Sequence, residues 1–75
     1  MNTEKEIKET VRQRLIECRK EKGVTQTEVG IIVNKGKTAV ASWEQGISSP
    51  DIATLFRLAA YYNKTISYMY GESDK

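Results

Sequence analysis

Two short apolar patterns separated by only three residues constrain the fold of this chain more than any other feature. The first predicts a helix over residues 26–33 and the second a helix over residues 37–45. Asn34 favours an end to the first helix because asparagine tolerates the left-handed conformation, and Gly36 can cap the second. A connection this short makes the two helices cross steeply, and the small Gly30 allows them to approach closely.

Capping signals mark the starts of the first two helices. Thr3 and Glu6, like Thr25 and Glu28, have the spacing of a capping box, in which each side chain bonds the other residue's free backbone N–H. An apolar stripe at steps of three and four predicts that the first helix covers residues 4–22 and ends at the next glycine. The stripe consists of Ile7, Val11, Leu15 and Cys18.

Two further helices are predicted in the second half of the chain. Pro50 suits the first position of a helix and Ser49 its N-cap, so the fourth helix is expected over residues 50–62. Thr65 can cap a short fifth helix over residues 66–70. The residues expected to face inward on helices two to five are Val29, Ile32, Val33, Val40, Trp43, Ile52, Leu55, Leu58, Ala59, Tyr62, Ile66 and Met69. The sequence therefore predicts an all-α fold.

Composition argues against several classes of function. The chain has no His and one Cys, so it lacks the commonest general base and the ligands of a metal site. We expect one domain over residues 1–75, with no enzyme activity, no cofactor and no metal. The charged start MNTEKEIKE lacks the apolar segment of a signal peptide, and no apolar run reaches the ~20 residues of a membrane helix. We therefore expect a cytoplasmic protein.

The outward face of the third predicted helix carries short or flexible side chains and no acid. These are Lys37, Thr38, Ala41, Ser42 and Gln45. Such a face can enter the major groove of DNA without electrostatic repulsion. Lys37 can donate to guanine O6 and N7, and Ala41 can pack on a thymine methyl group. The alternative is an ordinary solvated helix face.

The run TQTEVGIIVNKGKTAVASWEQG resembles the helix-turn-helix of the xenobiotic-response-element family, which includes lambdoid phage repressors and Cro proteins. The resemblance extends from Leu15 to Gly71, because LIECRKEKGVTQ is similar to the family's first helix and SSPDIATLFRLAAYYNKTISYMYG to its fourth and fifth. It implies a compact five-helix, lambda-repressor-like domain with the helix-turn-helix at helices two and three. It also implies sequence-specific binding of double-stranded DNA by a transcriptional regulator.

The resemblance and the outward face together suggest roles for individual residues. Base readout is expected from Lys37, Thr38, Ala41 and Ser42. Contacts to DNA phosphates are expected from Thr25, Gln26, Lys35, Lys37, Ser48 and Ser49. Arg19 and Glu44 match a pair with which relatives join the first helix to the end of the third, so we expect a partly buried ion pair there.

Three residues or segments depart from the family pattern. Gly30 stands where the family usually has Ala, at a cost of roughly 1 kcal/mol in helix propensity. Lys35 replaces a commonly apolar turn residue. The loop at residues 47–49 lacks the basic residues that many relatives place against the phosphate backbone, which weakens the expected affinity for DNA.

Four aromatic residues suggest association, because so small a core cannot hold all of them. They are Phe56, Tyr61, Tyr68 and Tyr70, in a region through which many relatives dimerise. We expect a homodimer that reads a palindromic operator with two recognition helices about 34 Å apart and acts as a repressor. Scattered surface tyrosines are the alternative.

Other functions remain open. Within the same class, the chain could be a restriction–modification controller, an antitoxin-like regulator, or the N-terminal domain of a longer repressor. Alternatively, the chain could belong to another functional class, as a protein-interaction module that has kept the fold and lost DNA binding. The net charge of only +2 and the loop without basic residues favour that module slightly.

Overall fold

The computed structural model describes residues 3–74, which form five helices and no strand. In chain order the helices are α1 (Glu4–Lys22), α2 (Gln26–Ile32), α3 (Lys37–Gln45), α4 (Ile52–Tyr61) and α5 (Ile66–Met69). This confirms the predicted all-α class. No helix in this range is long and apolar enough to cross a lipid bilayer.

A reciprocal capping box starts α1. The Glu6 backbone N–H donates to the Thr3 hydroxyl at 3.2 Å, and the Thr3 backbone N–H donates to the Glu6 carboxylate at 2.9 Å. The bond from the Thr3 backbone N–H to the Glu6 carboxylate is the main reason that the pKa of Glu6 lies below its usual value. Two orphan amides of the helix end are thereby satisfied, as the sequence predicted.

Only half of the predicted second capping box forms. The Thr25 hydroxyl accepts the Glu28 backbone N–H at 3.1 Å and so caps α2. The Glu28 carboxylate, however, accepts from the Thr25 hydroxyl instead of reaching back to its backbone N–H. α2 ends at Ile32, one residue earlier than predicted, and Asn34 adopts the expected left-handed conformation at φ +57°.

α4 begins at Ile52, two residues later than Ser49 and Pro50 predicted. Asp51 is its N-cap, with extended backbone, and the Asp51 carbonyl accepts the first helical bond from Leu55 at 2.9 Å. The Asp51 carboxylate also accepts the hydroxyl proton of Thr54, which lowers the pKa of Asp51. The Asp51 backbone is extended, at φ −66° and ψ 166°, and its side chain makes no capping bond to a backbone N–H, so the helix starts after Asp51 and Pro50 lies one residue before the N-cap.

Two side chains predicted to face inward are exposed instead. Ile32 is the last residue of α2 and lies about 100° around the helix from the buried Val33. Ile52 is the first residue of α4, and helical side chains lean toward the N-terminus, so it extends past the packed part of the helix. Both predictions were therefore wrong at helix ends.

α4 and α5 each end one residue before their predicted ends. Their C-cap residues are Tyr62 and Tyr70.

One apolar core joins all five helices. Its buried members are Val11, Leu15, Cys18, Val29, Val33, Val40, Trp43, Leu55, Leu58, Ala59, Tyr62 and Met69. Trp43 therefore packs inside the domain and presents no ring to bases. Burial raises the pKa of the Cys18 thiol and of the Tyr62 hydroxyl.

Gly30 is required by the close crossing of α2 and α3. A Cβ built at this position lies 2.9 Å from the Lys35 carbonyl oxygen and 3.0 Å from the Gly36 carbonyl carbon. Both atoms belong to the backbone of the connecting turn, so they cannot move aside as a flexible side chain would. The turn itself is closed by the Lys35 N–H, which donates to the Gly30 carbonyl at 2.8 Å.

Candidate nucleic-acid interface

One face of α3 is open to solvent and carries the four residues expected to read bases. Lys37 and Thr38 are exposed, while Ala41 and Ser42 are half-buried. The opposite face packs into the core through Val40 and Trp43. The spacing of the four residues at i, i+1, i+4 and i+5 places them along one strip of the helix. The fold therefore presents them together.

Glu44 is the acidic residue of α3, and its carboxylate is held away from that open face. Its side chain is 9% exposed, and that of its partner Arg19 is 18% exposed. Arg19 Nε donates to Oε2 at 2.7 Å and Nη2 donates to Oε1 at 3.0 Å, a bidentate pair. The Gln26 amide donates to Oε1 as well, at 3.0 Å. The pair with Glu44 raises the pKa of Arg19.

A second arginine of α1, whose role was not predicted from the sequence, also holds the end of α3. Arg12 Nη1 donates to the backbone carbonyl of Glu44 at 3.1 Å, and the Arg12 side chain packs beside Gly46. Its guanidinium also pairs with Glu9, whose pKa is lowered by that bond. Arg12 lies seven residues before Arg19, on the same face of α1, and that spacing is the signal that could have revealed it.

The residues expected to bind phosphate lie around α3 in three places. Thr25 and Gln26 start α2, with the Thr25 hydroxyl engaged as a cap and the Gln26 amide on Glu44. Lys35 is exposed in the turn before α3, next to the exposed Lys37 at its first position. Ser48 and Ser49 are exposed in the loop after α3. Polar groups therefore flank the open face at both ends of the helix.

The loop after α3 folds back onto the last turn of the helix. Gly46 takes the left-handed conformation at φ +81°, and the Ile47 N–H donates to the Ser42 carbonyl at 3.0 Å. This brings the hydroxyl oxygens of Ser42 and Ser48 to 2.7 Å from each other. A residue expected to read bases thus contacts one expected to bind phosphate, which spacing alone did not predict.

The four aromatic residues suggested for association differ in their surroundings. Phe56 is 66% exposed on α4, whereas Tyr61, Tyr68 and Tyr70 are half-buried against the core. The guanidinium of Arg14 lies 4.0 Å from the centre of the Tyr68 ring and covers part of it. Of the four, only Phe56 is therefore largely exposed to solvent.

Among residues 3–74, no three His, Cys, Asp or Glu side chains lie close enough together to hold a metal ion. Two surface grooves run beside α1 and are lined by charged side chains of α1 and by the loop after α3.

Comparison with known proteins gives a family match and a curated relative. The family model described as helix-turn-helix covers residues 15–69. The HTH-type transcriptional regulator ImmR of Bacillus subtilis (strain 168) is 32% identical over 62 residues, which cover 83% of this chain and 49% of that protein. The chain thus spans about half the length of this relative. No solved structure gives a match.

Proposed function

The chain belongs to the xenobiotic-response-element family of helix-turn-helix proteins, and from this premise we propose that it binds double-stranded DNA and regulates transcription. The open face of α3 enters the major groove. Lys37, Thr38, Ala41 and Ser42 contact base edges there.

The observation that carries this proposal is the distribution of charge on α3. Its open face holds Lys37 and no carboxylate, while the carboxylate of Glu44 is buried and neutralised by Arg19. Duplex DNA carries about one negative charge per 1.7 Å of its axis, so an exposed carboxylate on this face would oppose binding. The ion pair therefore orients the helix and also removes the α3 charge that would repel DNA.

Phosphate contacts flank the groove. Lys35 and Lys37 supply positive charge at the start of α3, and Ser48 and Ser49 supply hydroxyl donors after its end. Gln26 adds an amide beside Glu44. If each monomer neutralises two phosphates through its lysines, the logarithm of the affinity of a dimer falls with the logarithm of salt concentration with a slope of about −3.6.

The regulator acts as a homodimer on a palindromic operator and represses by occupying the site. One recognition helix contacts too few base pairs to specify a genomic position, and two helices about 34 Å apart double the number. Phe56 is the candidate centre of the dimer surface because it is large, apolar and 66% exposed. Tyr61, Tyr68 and Tyr70 are candidates for its rim.

Selection of binding sites from a randomised duplex pool tests the proposal. We expect an enriched palindrome with half-sites about one helical turn apart. Lys37→Glu abolishes binding to that palindrome without lowering the thermal midpoint. Lys20→Glu makes the same change of charge on the exposed side of α1, about 200° around the helix from the buried Cys18, and keeps most of the affinity. Binding without sequence preference, or an unaffected Lys37→Glu variant, would refute the proposal.

Exposed apolar side chains favour one alternative, a protein-interaction module. Ile31, Ile47 and Phe56 are 73%, 74% and 66% exposed. Such a module would lose its partner on changes at Phe56, Tyr61 or Tyr68 and would be indifferent to Lys37→Glu. A restriction–modification controller or an antitoxin-like regulator belongs to the DNA-binding class, and the genomic position of the selected site distinguishes them from a phage-type repressor.

A further inference from the structure

The hydroxyl pair of Ser42 and Ser48 links a proposed base contact to a proposed phosphate contact. The two oxygens are 2.7 Å apart, within the range of a good O–H···O hydrogen bond. Ser42 is half-buried on the open strip of α3, one turn after Thr38, and Ser48 is exposed in the loop. The left-handed Gly46 and the bond from Ile47 to the Ser42 carbonyl fix the path of that loop.

We propose that Ser48 is a positioning residue that sets the direction of the Ser42 hydroxyl and thereby determines which base Ser42 can read. The inference rests on the proposed function, because it requires that α3 lie in the major groove. It adds a specificity-determining role for a loop residue that makes no contact with the base itself.

The number of available protons decides which serine donates. Each serine hydroxyl has one proton to donate and two lone pairs that accept. A phosphate oxygen only accepts, so a phosphate bound to Ser48 takes the Ser48 proton. The hydrogen bond between the two serines must then be donated by Ser42. With its proton directed at Ser48, Ser42 presents only lone pairs to the DNA.

An acceptor-only Ser42 selects bases by their donors. In the major groove, adenine offers the N6 amino group and cytosine the N4 amino group, whereas guanine O6 and N7 and thymine O4 are acceptors. Ser42 therefore favours adenine or cytosine over guanine or thymine on the strand that it contacts. Without Ser48, the Ser42 proton is free to turn toward either kind of base edge, and the preference relaxes.

The test uses the selected duplex and four proteins: wild type, Ser42→Ala, Ser48→Ala and the double variant. Ser42→Ala first identifies the base pair whose discrimination it removes. At that position the wild type should favour adenine or cytosine about 5-fold over guanine or thymine, the value of one neutral hydrogen bond. Ser48→Ala should reduce this ratio to within about 2-fold at the same base pair only. The double variant should show the ratio of Ser42→Ala.

A matched control is Ser49→Ala, which removes a neighbouring phosphate donor that does not contact Ser42 and should therefore weaken binding by the same factor whichever base is present, leaving the ratio unchanged. The inference is overturned if Ser48→Ala weakens binding equally to duplexes with each of the four bases at that position, or if it leaves the ratio unchanged. It is also overturned if the wild type favours guanine or thymine there. Those results leave sequence-specific binding intact. A wild type without any preferred sequence overturns the proposed function and this inference together.

Discussion

Removal of the Glu44 carboxylate should destabilise the domain far more than its position on a short helix suggests. The carboxylate accepts two hydrogen bonds from Arg19 and one from Gln26. In Glu44→Ala the Arg19 guanidinium keeps only its bond to the Val24 carbonyl and stays mostly buried. Leaving one partner of a buried pair uncompensated costs about 3–5 kcal/mol.

The lower end of that range is appropriate here, because the Arg19 side chain is 18% exposed and can draw some hydration. A loss of about 3 kcal/mol corresponds to a fall of about 20 °C in the thermal midpoint for a chain of this size. Circular dichroism at 222 nm measures that midpoint directly in the all-α domain. We therefore expect Glu44→Ala to unfold about 20 °C below the wild type.

An exposed ion pair on α1 provides the control. Glu9 pairs with Arg12, but its side chain is 49% exposed, and solvent screens such a pair so that it contributes little to stability. Glu9→Ala should therefore lower the midpoint by no more than about 5 °C. The double variant Arg19→Leu, Glu44→Leu should recover much of the lost thermal midpoint, because no buried charge remains unpaired. If Glu44→Ala cost no more than Glu9→Ala, the reasoning from burial would be refuted.

Three further predictions concern packing and protonation. Gly30→Ala should destabilise the domain by about 1 kcal/mol in denaturant unfolding, because the clash of the alanine Cβ with the Lys35 carbonyl outweighs the gain in helix propensity. A stabilised variant would contradict the close crossing of α2 and α3. The Cys18 thiol should react with a disulfide reagent only in denaturant, since it is buried with a raised pKa; rapid native labelling would contradict this. Folding lowers the pKa of Glu6 from 4.5 and that of Asp51 from 3.8. The stability that each carboxylate contributes is therefore present above its unfolded pKa and is lost as the pH falls through its folded pKa. Thermal midpoints of Asp51→Asn should fall less steeply below about pH 4 than those of the wild type, and parallel curves would contradict the assignment.

Most of the correct predictions came from short-range patterns, namely capping and turn residues at helix ends. Thr3 with Glu6, Asn34 and Gly46 each satisfy backbone groups within a few residues, so their roles can be read from spacing alone. The spacing of the helix-turn-helix was readable for the same reason. The start of α4 was missed because Asp51 and Pro50 compete at adjacent positions, and only the packed structure shows that Asp51 caps the helix.

The parts of the site that escaped prediction all depend on contacts across the fold. Arg12 reaches the Glu44 carbonyl from another helix, and Ser48 reaches Ser42 only because the loop turns back at Gly46. A one-dimensional pattern gives the face of a helix but not the path of the loop beside it. Side chains at helix ends, such as Ile52, fail for a related reason, because periodicity does not say where packing stops.

The most direct test of the central claim is methylation interference on the selected duplex. A methyl group on guanine N7 lies in the major groove, whereas one on adenine N3 lies in the minor groove. The two modifications therefore report which groove α3 occupies. We predict that N7 methylation within each half-site prevents binding and that N3 methylation there is tolerated. Interference confined to adenine N3, or none in either groove, would contradict insertion of α3 into the major groove.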